Sequence, residues 1–216
     1  MDVKLFENDQ HLVHGDISIA DSLTSPAAYG TYSIRLPYPE KLADEKLAAT
    51  KIILWSCMDR RVVGPLYDSL LKQYKPEEIL VISIGGGPIQ VGEKAVERIK
   101  ILREMFIWLS SRMPSLQKIW AVAHTGGCGG VKYFCGGHPI TEVAKPEIKA
   151  EAAQTGTNEE IYATDLLIGN GLEMLPKAWQ AFVAFDIAQP DETNKTVKLH
   201  PHRVSRVMKL EEVVVL

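Results

Sequence analysis

From position 51 onward, the apolar residues of this chain fall into short runs and spaced stripes in a regular order. KIILWS (51–56), EILVISI (78–84) and KIWAVA (118–123) are continuous apolar runs of strand length. Runs of this kind, bounded by turn residues, predict strands buried on both faces. Between them the period changes. Val63, Leu66, Leu70 and Tyr74 recur at helical spacing over 62–74, and Lys75-Pro76 stops the pattern. Ala95, Ile99, Leu102, Phe106 and Leu109 form one stripe over 91–112, closed by Met113-Pro114. Met105, Phe106, Trp108 and Leu109 read as helix packing.

Strand, helix, strand, helix, strand is the signature of βαβ units, hence of a parallel sheet with right-handed crossovers. Residues 139–178 are predicted helical with breaks, one of them at Gly169-Asn170-Gly171. AFVAFDI (181–187), a polar turn and TVKL (196–199) predict a late hairpin on the sheet edge. The expected fold class is therefore α/β: a mainly parallel central sheet flanked by helices, with a late antiparallel edge strand. The first fifty residues are less regular, being rich in Ser, Pro, Gly and Tyr. They predict an extended N-terminal arm and a short helix around 39–49, leaving 51–216 as a single α/β domain.

Composition narrows the function. The 216 residues are 46% hydrophobic and 24% charged with a net charge of -3, ordinary for a soluble globular protein. Acidic and basic residues are mixed, so nothing favours nucleic acid or an anionic membrane as partner. The N-terminal residues carry Asp2, Glu7 and Asp9 with no apolar core of signal-peptide length. No stretch approaches the roughly 18 continuous apolar residues of a membrane span. A cytoplasmic location is expected by default. Three cysteines, an odd number, argue against a disulfide framework and for reduced thiols able to bind metal.

Their placement is more informative. In open parallel sheets, ligands bind beyond the carboxyl ends of the strands. Cys57 directly follows the first predicted strand, His124 directly follows the third, and Cys128 lies in the glycine-rich loop HTGGCGG. Two thiolates and one imidazole are donors that zinc prefers, and three protein ligands leave a fourth tetrahedral position open. Asp59 and Arg61 follow close behind Cys57. The guanidinium can hold the carboxylate by paired charge-assisted hydrogen bonds, placing it to orient a water on the metal. Released from Arg61, Asp59 would instead reach the fourth metal position.

Taken singly, these residues have plainer readings: a buried cysteine in a core, an ordinary ion pair at Asp59–Arg61, a tight turn at Gly85–Gly87. The turn is the preferred reading of that glycine run, and His11, His14, His200 and His202 read as surface histidines. Two competing motifs fail. A phosphatase loop would place arginine where Val63 stands, and a P-loop would need lysine where Glu93 follows Gly92.

Cys57-x-Asp59-x-Arg61, a glycine-rich strand end and the His124-Thr-…-Cys128-Gly-Gly loop together resemble the β-class carbonic anhydrases. The resemblance runs from about 51 to 130 and more loosely to 199. It implies one zinc ion per chain on Cys57, His124 and Cys128, with Asp59 and Arg61 as gate and orienting dyad. It implies reversible hydration of carbon dioxide to bicarbonate by a metal-bound hydroxide, and a homodimer or larger homo-oligomer.

Three features depart from the family pattern. The ligand loop is one residue longer than His-x-x-Cys. Ser83-Ile84-Gly85-Gly86-Gly87 stands where Arg-Asn-Ala-Gly-Gly is common. Cys135 and His138 offer a competing thiol and imidazole. Two alternatives therefore stay open: hydrolysis of carbonyl sulfide or carbon disulfide at the same site, and a closed structural zinc site completed by Cys135.

Overall fold

The computed structural model describes residues 44–191, 193, 196–204 and 206–215. The predicted N-terminal arm lies almost wholly outside the described residues. Of the helix expected around 39–49, the part described is α1 (Asp44–Ala49).

Five strands form one sheet: β1 (Ile52–Ser56), β2 (Ile79–Ser83), β3 (Lys118–His124), β4 (Val183–Asp191) and β5 (Thr196–Pro201). Their spatial order is β2-β1-β3-β4-β5. The first four are parallel and β5 is antiparallel to β4. This is the expected fold class. Every residue of β1 and β2 is buried, as is all of β3 after Lys118, because helices cover both faces. The late hairpin differs in one respect. Its first strand is an internal strand beside β3, and of the two only β5 lies at an edge of the sheet.

Helices α2 (Arg60–Leu70) and α3 (Val96–Ser110) make the two crossovers. Both are shorter than the apolar stripes predict. The first starts early because Asp59 caps it, its carboxylate accepting from Arg61 N, and it ends at Leu70 in a turn that precedes Pro76. The second is held back by Gly92, whose φ of 75° excludes helical backbone, and a 3₁₀ turn intervenes over Glu93–Ala95. Val62, Leu66 and Leu70 of α2 join Leu102, Phe106 and Leu109 of α3 in one core that contains Trp55. Each such buried side chain contributes about 1.5–3 kcal/mol of transfer free energy.

Beyond β3 the chain forms α4 (Gly129–Phe134), α5 (Ile140–Val143), α6 (Pro146–Thr155) and α7 (Glu159–Ile168). A 3₁₀ segment (Gly169–Met174), α8 (Lys177–Gln180) and α9 (Leu210–Val213) complete the helices. The Gly169-Asn170-Gly171 break is thus a change of helix type. A second apolar cluster gathers Ile89, Val131, Phe134, Leu166, Leu167 and Ile187 around Cys57 and Cys128. Among the described residues, no helix is long and apolar enough to cross a membrane.

Candidate metal centre

β1 pairs with β2 on one side and with β3 on the other, so the strand order reverses between β1 and β3. At such a switch point the two following connections leave in opposite directions and open a crevice at the carboxyl ends. Cys57 is the first residue past β1, and His124 is the last residue of β3, paired with Ala188 of β4. Cys128 caps the N-terminus of α4 just beyond. The crevice therefore receives one thiol from β1, one imidazole from β3 and a second thiol from the loop that follows.

The ligand atoms of these three buried residues all lie within 4.8 Å of one another. The two sulfurs are 3.7 Å apart. Two Zn–S bonds of about 2.3 Å at the tetrahedral angle would separate the sulfurs by about 3.8 Å. His124 Nδ1 lies 2.8 Å from the carbonyl oxygen of Thr125. A carbonyl only accepts, so Nδ1 carries the hydrogen and Nε2 is left as the ligand nitrogen. That Nε2 is buried with no hydrogen-bond partner. Sulfur spacing, tautomer and orphaned nitrogen all fit a zinc-sized ion with soft and borderline ligands.

Ionisation in the metal-free state follows from this crowding. The hydrogen bond between the two sulfurs, together with burial, pushes the Cys57 thiol up, and the same hydrogen bond holds Cys128 down. Burial opposes charge on His124, but Cys57, the Thr125 carbonyl and Asp59 outweigh it and raise the imidazole to about 9. Metal binding requires two thiolates and a neutral imidazole. Zinc binding near pH 7 is therefore expected to release protons, those of Cys57 and His124 among them. Affinity falls as pH falls, and the share of the release that comes from His124 is lost above its value of about 9. Calorimetry in buffers of different ionisation enthalpy reads the number. Proton release that stays the same from pH 7 to above 9 would show that the imidazole is not charged in this way.

Asp59 and Arg61 meet as the sequence predicts. Arg61 Nε donates to both carboxylate oxygens at 3.0 and 3.1 Å, and Nη2 donates to Oδ2 at 2.6 Å. Burial would lift the Asp59 carboxyl, but these bonds and the His124 charge hold it below the usual carboxylate range. Oδ2 lies 3.8 Å from His124 Nε2, so the carboxylate borders the three-ligand group. Arg61 Nη2 also donates to the carbonyl of Gly126 at 3.2 Å, a contact not legible in the sequence.

The competing donors stand apart. Cys135 is not in the ligand group, and burial raises its thiol to about 11. His138 pairs with Glu142 at 3.6 Å on the exposed side of α5. Ser83 is buried with its hydroxyl unpartnered, and Ile84 is buried next to it. The Gly85–Gly87 run is a turn, as expected. Gly87 (φ 57°) lies against the end of β1, where a Cβ would sit 2.8 Å from Cys57 N.

His202, read as a surface histidine, is half-buried and donates from Nδ1 to Asp165 Oδ1 at 2.6 Å. His200 lies 3.1 Å from Gln189 Oε1, while His11 and His14 fall outside the described residues. A cavity of about 290 Å³ opens beside His124 and Cys128, lined also by Lys132, Ile140, Glu160 and Thr164.

Fold and site together define an α/β protein with a buried Cys–His–Cys group that could hold a metal at the switch point of its sheet. No protein-family model matches the chain, and no curated protein matches it. Solved structures do. One is a β-carbonic anhydrase, isoform I, from the protozoan Trichomonas vaginalis. It is 16% identical, with 70% of this chain and 82% of that chain covered and a TM-score of 0.37. Another is from a study of two tetrameric β-carbonic anhydrases of the filamentous ascomycete Sordaria macrospora. It is 13% identical, with 72% and 84% covered and a TM-score of 0.38.

Proposed function

We propose that the chain is a zinc enzyme of the β-carbonic anhydrase type, catalysing reversible hydration of carbon dioxide to bicarbonate. Cys57, His124 and Cys128 would hold one zinc ion per chain. The observation that carries this reading is a three-ligand group bordered by a carboxylate that a guanidinium grips on both oxygens. A closed structural site would want a fourth protein ligand, and among the described residues the group has three.

Bound zinc supplies the acidity that takes the pKa of a water from about 15.7 toward 7. The chain's own residues do the rest. The two thiolates balance the charge of the cation, and the Nδ1 bond to Thr125 keeps the imidazole in the tautomer that leaves Nε2 free. Asp59, ionised and acceptor-only while Arg61 holds it, takes a hydrogen bond from the reacting water and turns its lone pair toward the substrate carbon. The apolar cluster around the cysteines keeps bulk water out and admits a small apolar molecule.

Stopped-flow hydration of carbon dioxide by the zinc-loaded protein over pH 6–9 tests this. Asp59→Asn is expected to keep its zinc and lose about 100-fold or more in kcat, the usual weight of a positioned acid–base group. No rate above background in the unaltered protein would sink the reading. Release of hydrogen sulfide from carbonyl sulfide without carbon dioxide hydration would move the substrate to that class. The resemblance also implies a homodimer or larger homo-oligomer. Light scattering of the purified protein measures it.

A further inference from the structure

We infer that Glu160 is a positioning residue of the metal centre, tying down the long ligand loop and bracing Arg61 against Asp59. The inference rests on the reading that Cys57, His124 and Cys128 hold the metal. Between His124 and Cys128 the chain passes through Gly126 and Gly127, both left-handed with φ of 77° and 86°. Such backbone is open to glycine, and it is also the backbone that loses most freedom when it is fixed. Packing does little to hold this loop. A Cβ at Gly127 would meet nothing within 4 Å, and one at Gly126 would meet only the ring of Pro190. Yet Cys128, at the end of the loop, must sit 3.7 Å from Cys57.

Polar bonds hold it instead. Glu160 Oε1 accepts from Gly126 N at 3.0 Å and from Gly127 N at 3.5 Å. Two successive amides converging on one carboxylate oxygen form an anion nest, closed here by a residue of the same chain. The peptide group joining Gly126 to Gly127 is held from both ends. Its N–H faces Glu160, and its carbonyl accepts from Arg61 Nη2 at 3.2 Å. Glu160 thus reaches Asp59 through Gly126–Gly127 and Arg61, and reaches Cys128 through the loop itself.

The brace is rigid at its base. Glu160 lies in the first turn of α7, whose N-cap Asn158 accepts from Glu160 N and Ile161 N at 2.9 and 3.2 Å. A carboxylate in the first turn is also favoured by the helix dipole. An anchor on a capped helix holds a loop better than another loop does.

Because Glu160 also lines the cavity beside His124 and Cys128, a direct role toward substrate has to be told apart from positioning. Metal binding without substrate does so. Zinc affinity, by competition with a chromophoric chelator, and the visible spectrum of the cobalt-substituted protein are compared for Glu160→Ala and Glu160→Gln. The alanine variant is expected to lose about 10- to 100-fold in zinc affinity, as partners of ligands do, with altered cobalt bands. Glutamine keeps an acceptor oxygen at the same reach, without charge assistance, and should stay within about fivefold.

Unchanged affinity and spectra in both variants, or equal losses in both, would overturn the inference. Should the alanine variant not fold, Glu160→Asp decides. It keeps the charge but shortens the reach by one methylene, and native affinity in that variant is equally fatal. A protein that binds zinc but hydrates nothing would sink the proposed reaction and leave this comparison intact. One that binds no zinc would sink the centre itself.

Discussion

Cys57→Ser is expected to weaken zinc binding by about 100- to 1000-fold and bring carbon dioxide hydration down to background, while leaving the fold in place. The sulfur at this position sits 3.7 Å from Cys128 Sγ in a group of three ligands. Apparent binding of about 10–16 kcal/mol over four ligands puts each ligand at about 3 kcal/mol, which corresponds to a loss of about 100- to 1000-fold in affinity. A serine hydroxyl cannot replace the thiolate, because it does not ionise near neutrality. The swap is close to isosteric, and burying the hydroxyl costs about 1–3 kcal/mol if it finds no partner. Metal analysis after dialysis and stopped-flow hydration check the result. Cys135→Ala is the contrasting variant, since that thiol lies outside the ligand group. An unchanged zinc affinity in Cys57→Ser would take Cys57 out of the ligand set, and a loss of zinc in Cys135→Ala would bring Cys135 into it.

Gly130→Ala should be strongly destabilising. A Cβ there would lie 2.0 Å from Gly86 N and 2.3 Å from Gly85 C. Neither atom belongs to a flexible side chain. The N-terminal turn of α4 therefore has to move away from the Gly85–Gly87 turn, taking Cys128 with it. Overpacking of side chains costs about 1–3 kcal/mol, and here both partners are backbone, so about 3 kcal/mol or more is expected. For a chain of this size that lowers Tm by about 6–12 °C, readable by circular dichroism. Gly64→Ala is the control. It lies in α2 with nothing within 4 Å of the added carbon, and should stabilise by about 0.5–1 kcal/mol. A native Tm in Gly130→Ala would mean that the two turns do not touch in solution.

These two variants differ in how visible their positions are from sequence. Cys57 stands out because its neighbours share its local geometry. Asp59 caps α2 and Arg61 lies in its first turn, so three groups within five residues are placed by one strand end and one helix start. Gly130 does not stand out. Its reason is a backbone contact with a turn about forty positions earlier, and glycines in such loops look alike whether or not anything presses on them. Glu160 was invisible for the same reason, being one acidic residue at a helix start among several. His202 was misread because its partner Asp165 is distant in the chain.

Apolar run length and helical period determined the α/β class, the order of strands and helices, and the strand-end positions of Cys57 and His124. They do so because those features depend on neighbouring residues and on the side chain's preference for core or water. Helix ends departed from the pattern where a cap or a left-handed glycine, Asp59 and Gly92, overrode it. Only the tertiary structure decided that β1 lies between β2 and β3, which makes the switch point and brings Cys57, His124 and Cys128 within 4.8 Å. It also decided that Cys135 stays outside and that Glu160 closes over the ligand loop. Distances of that kind come from the path of the chain through space, and local spacing does not record them.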